Sequence, residues 1–162
     1  MMLGTISQQP LVSVVMPVYN AERFVADALQ SILNQTYTKF EFIIIDDGSK
    51  DESLAIIKKY ADPRIKLIAL TRNQGIVNAL NTGLQTAQGK YIARMDADDV
   101  SLPNRLAMQV AFMENNAEVG LLGTQHFGIN GKARLFPTNH NSLVWYMLNA
   151  CPFVHPSVML RV

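Results

Sequence analysis

The segment FEFIIIDDGS, residues 40–49, decides the fold class of this chain, because an apolar run ends abruptly in two acids and a glycine. A short continuous apolar run bounded by turn residues is typical of a strand buried on both faces. The run LVSVVM (11–16) stops in the same way at Pro17, and YIARM (91–95) stops at DADD (96–99). Stretches with helical spacing separate these runs, so the sequence predicts an α/β fold with a Rossmann-like, mostly parallel sheet and helices on both faces.

The same patterns give the order of the elements along the chain. We predict strands at 11–16, 40–45, 65–70, 91–95, 119–124 and 157–162. We predict helices at about 21–34, 49–60, 75–87, 103–115 and 143–148, and a hairpin at 127–135 that turns at Asn130-Gly131. Asn20 is the predicted cap of the first helix, and Ser49 with Glu52 is a predicted capping box for the second.

Composition limits the class of protein. The chain has 162 residues, of which 49% are hydrophobic and 17% charged, and this supports a substantial core. A net charge of +1 argues against a strongly basic nucleic-acid binder, so we expect no nucleic-acid partner. The apolar runs are too short for a transmembrane segment. Cys151 is the only cysteine, which excludes an internal disulfide. A free cysteine is most often a buried residue, and we expect the same of Cys151. Without a visible secretory leader, the sequence predicts a cytoplasmic setting.

Five aspartates follow the predicted strands at one edge of the sheet. They are Asp46 and Asp47 after one strand, and Asp96, Asp98 and Asp99 after another. Ligands of open parallel sheets bind outside the carboxyl ends of the strands, so we expect a site there. Clustered carboxylates repel each other unless a positive charge joins them, and hard oxygen ligands favour Mg²⁺ or Mn²⁺ over zinc. The alternative is that these aspartates only stabilise turns, and this alternative is strongest for Asp99.

The motifs PVYN (17–20), IIDDGS (44–49), MDADD (95–99) and HPSVMLR (155–161), in this order, resemble inverting glycosyltransferase family 2. The resemblance covers nearly everything from Val12 onward. It implies the nucleotide-diphospho-sugar transferase fold called GT-A, here with an incomplete C-terminal part. The DADD version followed by P-x-R-L looks most like bacterial enzymes of surface-polysaccharide assembly.

The resemblance also implies a division of the chain. Because residues 1–10 are mostly small or polar, we expect them to form a loose N-terminal segment. By resemblance, residues 11–125 would be the half that binds the nucleotide-sugar. Residues 126–162 would begin the acceptor-side half, which is truncated. The donor would be a nucleotide-sugar, most often a UDP-sugar, and the acceptor a glycan or a lipid-linked sugar. A peripheral position at the inner face of the membrane stays open beside the cytoplasmic setting.

Residues near the first two strand ends would hold the nucleotide base. Pro17, Val18 and Tyr19 would form the wall against which the base rests, since stacking on an aromatic ring suits any base. By resemblance, Asp47 would accept a hydrogen bond from the imide N–H of uracil, with Asp46 beside it.

Other positions would contact the sugar, the ribose or the phosphates. Glu22 is a candidate near the ribose or base, although an acid at a helix N-terminus is favourable in its own right. Arg72 matches a basic position that contacts the base or a phosphate, with a solvated loop residue as the alternative. Asp96 would bind the ribose or sugar, Ala97 completes the D-x-D segment, and Asp98 would hold Mn²⁺ or Mg²⁺ on the diphosphate.

The family's general base, a carboxylate usually found in an E-D pair, is not identified in this sequence. After Asp99 the only acids are Glu114 and Glu118, which we interpret as surface residues. We therefore expect the catalytic base beyond Val162 and leave the catalytic residue unknown. His155, just before the last predicted strand, is a candidate for the acceptor side, with a structural histidine as the alternative.

Three other functions are alternatives to sugar transfer. A nucleotidyltransferase would carry a glycine-rich, basic loop after the first strand, whereas the loop here, PVYNAERF (17–24), has no glycine. A receiver-type signalling domain needs acids after the first strand, and that strand ends in Met16-Pro17. A nucleotide-sugar-binding module without catalysis stays open because the base is missing.

Overall fold

A computed structural model describes residues 9–128 and 130–162 of the protein. The strands are β1 (Val12–Val18), β2 (Phe40–Asp46), β3 (Ile65–Ala69), β4 (Tyr91–Arg94), β5 (Leu121–Leu122), β6 (His126–Phe127), β7 (Ala133–Arg134) and β8 (Met159–Arg161). The helices are α1 (Val25–Leu33), α2 (Ser53–Lys58), α3 (Ile76–Thr86), α4 (Arg105–Asn115) and α5 (His140–Met147), with a 3-10 turn at His155–Ser157. The loose segment predicted at 1–10 lies outside the described residues except for its last two positions.

Six strands form one sheet in the order β3-β2-β1-β4-β8-β5. The first four are parallel, and β8 is antiparallel to both β4 and β5. The predicted α/β fold with a mostly parallel sheet is therefore confirmed. The predicted hairpin is confirmed too, since β6 pairs with β7 and Gly131 turns with a φ of +71°.

The core lies on both faces of the sheet, because successive strand residues point to opposite sides. One face packs Val14, Met16 and Phe42 against α1, α2 and α4. The other face packs Val15 and Ile45 against α3. This second contact is close because α3 carries a glycine there: a Cβ at Gly83 would lie 2.4 Å from Val15 Cγ1.

Both predicted helix caps are wrong. Helix α1 begins at Val25, and Asn20 instead takes a φ of +50° while its Oδ1 accepts a hydrogen bond from Lys50 N at 2.8 Å. Helix α2 begins at Ser53, and Ser49 Oγ accepts from Asn20 N at 3.0 Å. Both side chains accept hydrogen bonds from backbone N–H groups of a neighbouring loop, and these distant donors replace the N–H groups of the helix that a cap would bind.

Two further expectations need correction. The strand predicted at 119–124 is much shorter in the structure. Only Leu121 and Leu122 pair with β8, and these two residues form β5. Cys151 is exposed, although its residue type is usually buried.

A buried acid ties the strands together at the edge opposite the acidic loops. Glu41 Oε1 accepts from the Ser13 hydroxyl and from Gln88 N, and Oε2 lies 2.6 Å from Lys66 Nζ. Burial raises the pKa of Glu41, but the hydrogen bonds from Lys66, Ser13 and Gln88 outweigh it and hold that pKa below its ordinary value of 4.5. The folded state therefore favours the charged form of this carboxyl.

The substitution Glu41→Gln should destabilise the protein by about 1–3 kcal/mol at neutral pH, because it removes the charge from three hydrogen bonds. A folded-state pKa below 4.5 means that the stabilisation is fully present above pH 4.5 and is lost as the pH falls below it. Urea unfolding from pH 7 to pH 3 should show the difference from wild type shrinking. The exposed Glu118→Gln is the control and should change little. An equal Glu41→Gln deficit at pH 7 and pH 3 would contradict the assignment.

Candidate functional site

A cleft of about 400 Å³ opens at the carboxyl ends of β1, β2 and β4. Most of the residues predicted to hold a nucleotide-sugar line it: Pro17, Val18, Tyr19, Asp47, Asp96, Ala97 and Asp98. The structure adds Asn20, Ala21, Phe24, Asn73, Ile76 and Ala79 to its lining. The parallel sheet thus gathers residues from four separate segments of the chain at one edge.

The wall of the cleft is the end of β1 and the loop after it. Val18 O accepts a hydrogen bond from Asp47 N at 2.8 Å, which fixes the two strand ends together. Tyr19 is 43% exposed, and Phe24 beyond it is also exposed. The cleft therefore offers aromatic rings to a flat ligand on one side.

Asp47 holds the loop that follows β3. Its Oδ1 accepts from Gln74 N at 2.8 Å and its Oδ2 accepts from Gly75 N at 2.9 Å. The residue is only 3% exposed. A carboxylate has about four acceptor positions, so each oxygen can accept one more hydrogen bond, from a ligand in the cleft.

Asp46 lies behind the cleft and does not line it. It is 1% exposed, and its Oδ2 accepts from Ser49 N at 3.3 Å. Its Oδ1 is buried without a hydrogen-bond partner among the described residues. The structure therefore places Asp46 as a neighbour of the cleft wall.

The chain itself compensates part of the acidic charge of the DADD loop. Arg94 binds Asp96 in a bidentate pair, with Nη2 at 3.0 Å from Oδ1 and 3.2 Å from Oδ2. Asp98 is exposed at the cleft, and no hydrogen bond or ion pair of the described residues engages it. Asp98 thus presents the carboxylate that is free to take a ligand.

A buried cation, Arg105, lies beneath this loop. Its Nη2 donates to Arg94 O at 2.6 Å and its Nη1 to Ser101 Oγ at 3.0 Å. Burial lowers the pKa of Arg105 to about 10, and the Asp99 and Asp96 carboxylates act in the opposite direction, so the side chain is charged at neutral pH. Desolvation, Asp98 and Asp96 raise the pKa of Asp99.

Glu22 and Arg72 do not line the cleft. Glu22 Oε2 accepts from Glu52 N at 3.0 Å, which makes it part of the contact between the loops after β1 and β2. Arg72 is exposed, and its backbone packs against Gly48: a Cβ there would lie 2.5 Å from Arg72 C. The structure gives both residues a place in loop packing, outside the cleft lining.

His155 and the late acids also lie outside the cleft lining. His155 is exposed at the 3-10 turn, and its Nε2 lies 3.3 Å from Cys151 Sγ. Glu114 accepts from Lys90 Nζ at 2.6 Å and from the Tyr91 hydroxyl. Because Tyr91 begins β4, Glu114 sits at the end of that strand opposite the DADD loop.

Sequence reasoning missed Arg94 and Arg105. A signal for Arg94 was present, because residues two apart in an extended chain share a face and Arg94 precedes Asp96 by two. A signal for Arg105 was weaker, since a single arginine on a helix is usually solvated.

The carboxylates of the cleft suit a divalent cation that binds together with the phosphates of a substrate. The described part of the chain holds no group of three or more His, Cys, Asp or Glu residues able to bind a metal. Mg²⁺ is commonly held by one or two carboxylates together with substrate phosphates and water. The free carboxylate of Asp98 suits that arrangement.

The mostly parallel sheet, with acidic loops and a cleft at its carboxyl edge, agrees with the GT-A fold. The family described as "Glycosyl transferase family 2" matches residues 13–152. The chain belongs to glycosyltransferase family 2.

Related proteins agree with this family. The chain is 42% identical over 160 residues to the "Putative glycosyltransferase EpsE" of Bacillus subtilis (strain 168), covering 94% of this chain and 56% of that protein. It is 40% identical over 106 residues to the Escherichia coli "UDP-Glc:alpha-D-GlcNAc-diphosphoundecaprenol beta-1,3-glucosyltransferase WfgD", covering 65% and 42% of the two chains.

A solved structure shows the same fold. S. aureus TarS 1-349 in complex with UDP-GlcNAc superposes with a TM-score of 0.77 at 28% identity, covering 93% of this chain and 45% of that one. The chain thus spans about half the length of these three proteins. Within the described ranges, no helix has the length and apolar character needed to cross a bilayer.

Replacing Gly48 with alanine should cost about 2–5 kcal/mol of stability, because a left-handed backbone and a collision with Arg72 act together. Gly48 has a φ of +68°, and its added Cβ would lie 2.5 Å from Arg72 C. Chemical denaturation measures the loss. Gly131→Ala is the matched control, because its φ is +71° but a Cβ there would contact no described atom within 4 Å. Equal losses in the two variants would show that the close loop contact does not matter.

Proposed function

We propose that this chain is the donor-binding part of an inverting glycosyltransferase that uses a nucleotide-diphospho-sugar, in particular a UDP-sugar. The observation that carries the proposal is one cleft lined by an aromatic ring, a fixed buried carboxylate and the D-x-D acids: Tyr19, Asp47, Asp96 and Asp98. S. aureus TarS, which shares the fold at 28% identity, is described in complex with UDP-GlcNAc.

The base would rest on the wall formed by Pro17–Tyr19, with Asp47 accepting from its imide N–H. The carboxylate of Asp47 suits this role, because backbone amides fix its position and each oxygen still has room for an acceptor contact. A uracil, or another base with an N–H at this position, would donate a hydrogen bond to the Asp47 carboxylate. Asp46 is buried directly behind this corner of the cleft.

The ribose and diphosphate would lie towards the DADD loop. Asp96 would accept from a sugar or ribose hydroxyl, since its pairing with Arg94 fixes the orientation of the carboxylate. Asp98 would hold Mn²⁺ or Mg²⁺ together with the phosphate oxygens. Such a cation supplies Lewis-acid stabilisation of the charge that develops on the leaving diphosphate.

The transfer step that we propose is a single displacement. An acceptor hydroxyl attacks the anomeric carbon as the bond to the diphosphate breaks, and the configuration inverts. A general base must take the acceptor proton from the opposite face. Glu114, held by Lys90 and Tyr91 at the far end of β4, is badly placed for this task. We therefore propose that the base lies beyond Val162 and that this chain alone transfers little or no sugar.

The acceptor that we propose is a glycan or a lipid-linked sugar, in the assembly of a bacterial polysaccharide. WfgD, 40% identical over 106 residues, is named for a diphosphoundecaprenol-linked acceptor. A cytoplasmic position, with contact at the inner face of the membrane, would suit such an acceptor. His155, exposed on the segment before β8, stays our candidate for the acceptor side.

Isothermal titration calorimetry should show that UDP binds much more tightly when Mn²⁺ is present. In Asp98→Ala this gain should disappear, because the exposed carboxylate that would hold the cation is gone. Asp27→Ala, which removes an exposed acid from α1, is the matched control and should keep the gain. A wild-type gain retained by Asp98→Ala would refute the metal assignment, and metal-independent binding by wild type would refute the proposed metal site.

Tyr19→Ala should weaken UDP binding by about 1–3 kcal/mol, the usual contribution of a stacked aromatic ring. Tyr19→Phe should bind nearly as well as wild type, because it keeps the ring and loses only the hydroxyl. The same titration with Mn²⁺ measures both variants. If the phenylalanine and alanine variants bind equally, the ring does not stack on the base.

A further inference from the structure

The buried guanidinium of Arg105 connects the DADD loop to the rest of the molecule. Arg105 is 9% exposed, and three of its nitrogens donate hydrogen bonds to protein acceptors. Such a buried cation costs free energy unless it is fully engaged. Its presence on the inner side of α4 therefore needs an explanation beyond packing.

The first contact of Arg105 fixes the end of β4. Nη2 donates to Arg94 O at 2.6 Å, and Arg94 in turn holds Asp96 through its own side chain. Nη1 donates to Ser101 Oγ at 3.0 Å, just beyond the acidic loop. One side chain therefore clamps the loop 95–100 at both of its ends.

The second contact extends the network to the segment before β8. Arg105 Nε donates to Gln109 Oε1 at 3.1 Å, and Gln109 Nε2 donates to Ser157 O at 2.9 Å. Ser157 Oγ accepts from Thr124 N at 3.1 Å. These hydrogen bonds thus form a continuous network from the DADD loop to the 3-10 turn that carries His155.

The charge of Arg105 also acts on the acids above it. Asp96 and Asp99 are the carboxylates whose field reaches its guanidinium. A fixed internal cation offsets part of the repulsion between these acids, so less reorganisation would be needed when a ligand arrives.

We propose that Arg105 is a positioning residue for the donor site: it holds the DADD loop in its binding geometry and, through Gln109, couples that loop to residues 155–157. This inference rests on the proposed function, because the loop is taken to bind a nucleotide with its cation. Arg105 itself would contact neither the nucleotide nor the cation.

The test is UDP titration of the whole chain at saturating Mn²⁺, at a temperature where every variant is folded. Arg105→Met should weaken binding about 10- to 100-fold, the range typical of losing a hydrogen-bonding group that supports a binding site from behind. Arg105→Lys keeps the charge and part of the hydrogen bonding, so it should recover part of this loss.

Arg64→Met is the matched control. Arg64 is partly buried, and its Nη2 lies 2.7 Å from Asp62 Oδ2, but it precedes β3 at the edge opposite the cleft. It should lower the melting temperature and leave UDP affinity within about twofold, as expected for a site distant from the change. If the wild-type protein binds UDP and Arg105→Met binds it with the same affinity, the positioning role is refuted.

Amide hydrogen exchange in the unliganded chain provides a readout that does not depend on UDP binding. Arg105→Met, or Arg105→Lys if the first variant does not fold, should speed exchange at Met95 and Asp99 more than at the amides of β2. Both loop amides donate to backbone carbonyls, Val15 O and Asp96 O. Failure of wild type to bind UDP would refute the proposed function, whereas unchanged loop exchange would refute the positioning role.

Discussion

The carboxylate of Asp47 holds the loop after β3 against the end of β2, and the form of the cleft depends on this contact. Its backbone N–H also donates to Val18 O at 2.8 Å, so one residue joins three segments of the chain. Gly48 allows the approach, since a Cβ there would meet the backbone of Arg72 at 2.5 Å. The parallel sheet brings strand ends to one edge, and Asp47 and Gly48 fix the loops there.

The sequence predicted the four parallel strands and the gathering of acids at one edge of the sheet, for a physical reason. Strands buried on both faces require continuous apolar runs, and those runs mark where each strand stops. Because parallel strands end at one edge, Asp47 and Asp96–Asp98 were expected together, and they line one cleft. The prediction failed for Asn20 and Ser49, which resemble helix caps locally. Each bonds to a loop about thirty residues away along the chain, a partner that no local pattern identifies.

The charge balance of the cleft could not be predicted in full. Sequence alone suggested that five aspartates require an added cation to stay together. The structure shows that Arg94 pairs with Asp96, backbone amides satisfy Asp47, and Arg105 lies buried below the loop. Whether an arginine faces solvent or the interior depends on tertiary packing, which a single helical position does not reveal. The exposed acid of the D-x-D segment is therefore Asp98, which makes no hydrogen bond or ion pair with the described residues.

The position of β8 has a consequence for the order in which the sheet can form. This strand lies between β4 and β5, and β5 pairs with it alone in the described sheet. During synthesis from the N-terminus, β3, β2, β1 and β4 can pair before residues 159–161 exist, whereas β5 must wait for them. Until then the edge of β4 is an open row of unpaired backbone groups, the kind of surface that recruits foreign strands. Residues 159–161 thus cover the edge of β4, and their pairing with Leu121 and Leu122 leaves only the two-residue β5 as the outer strand on that side of the described sheet.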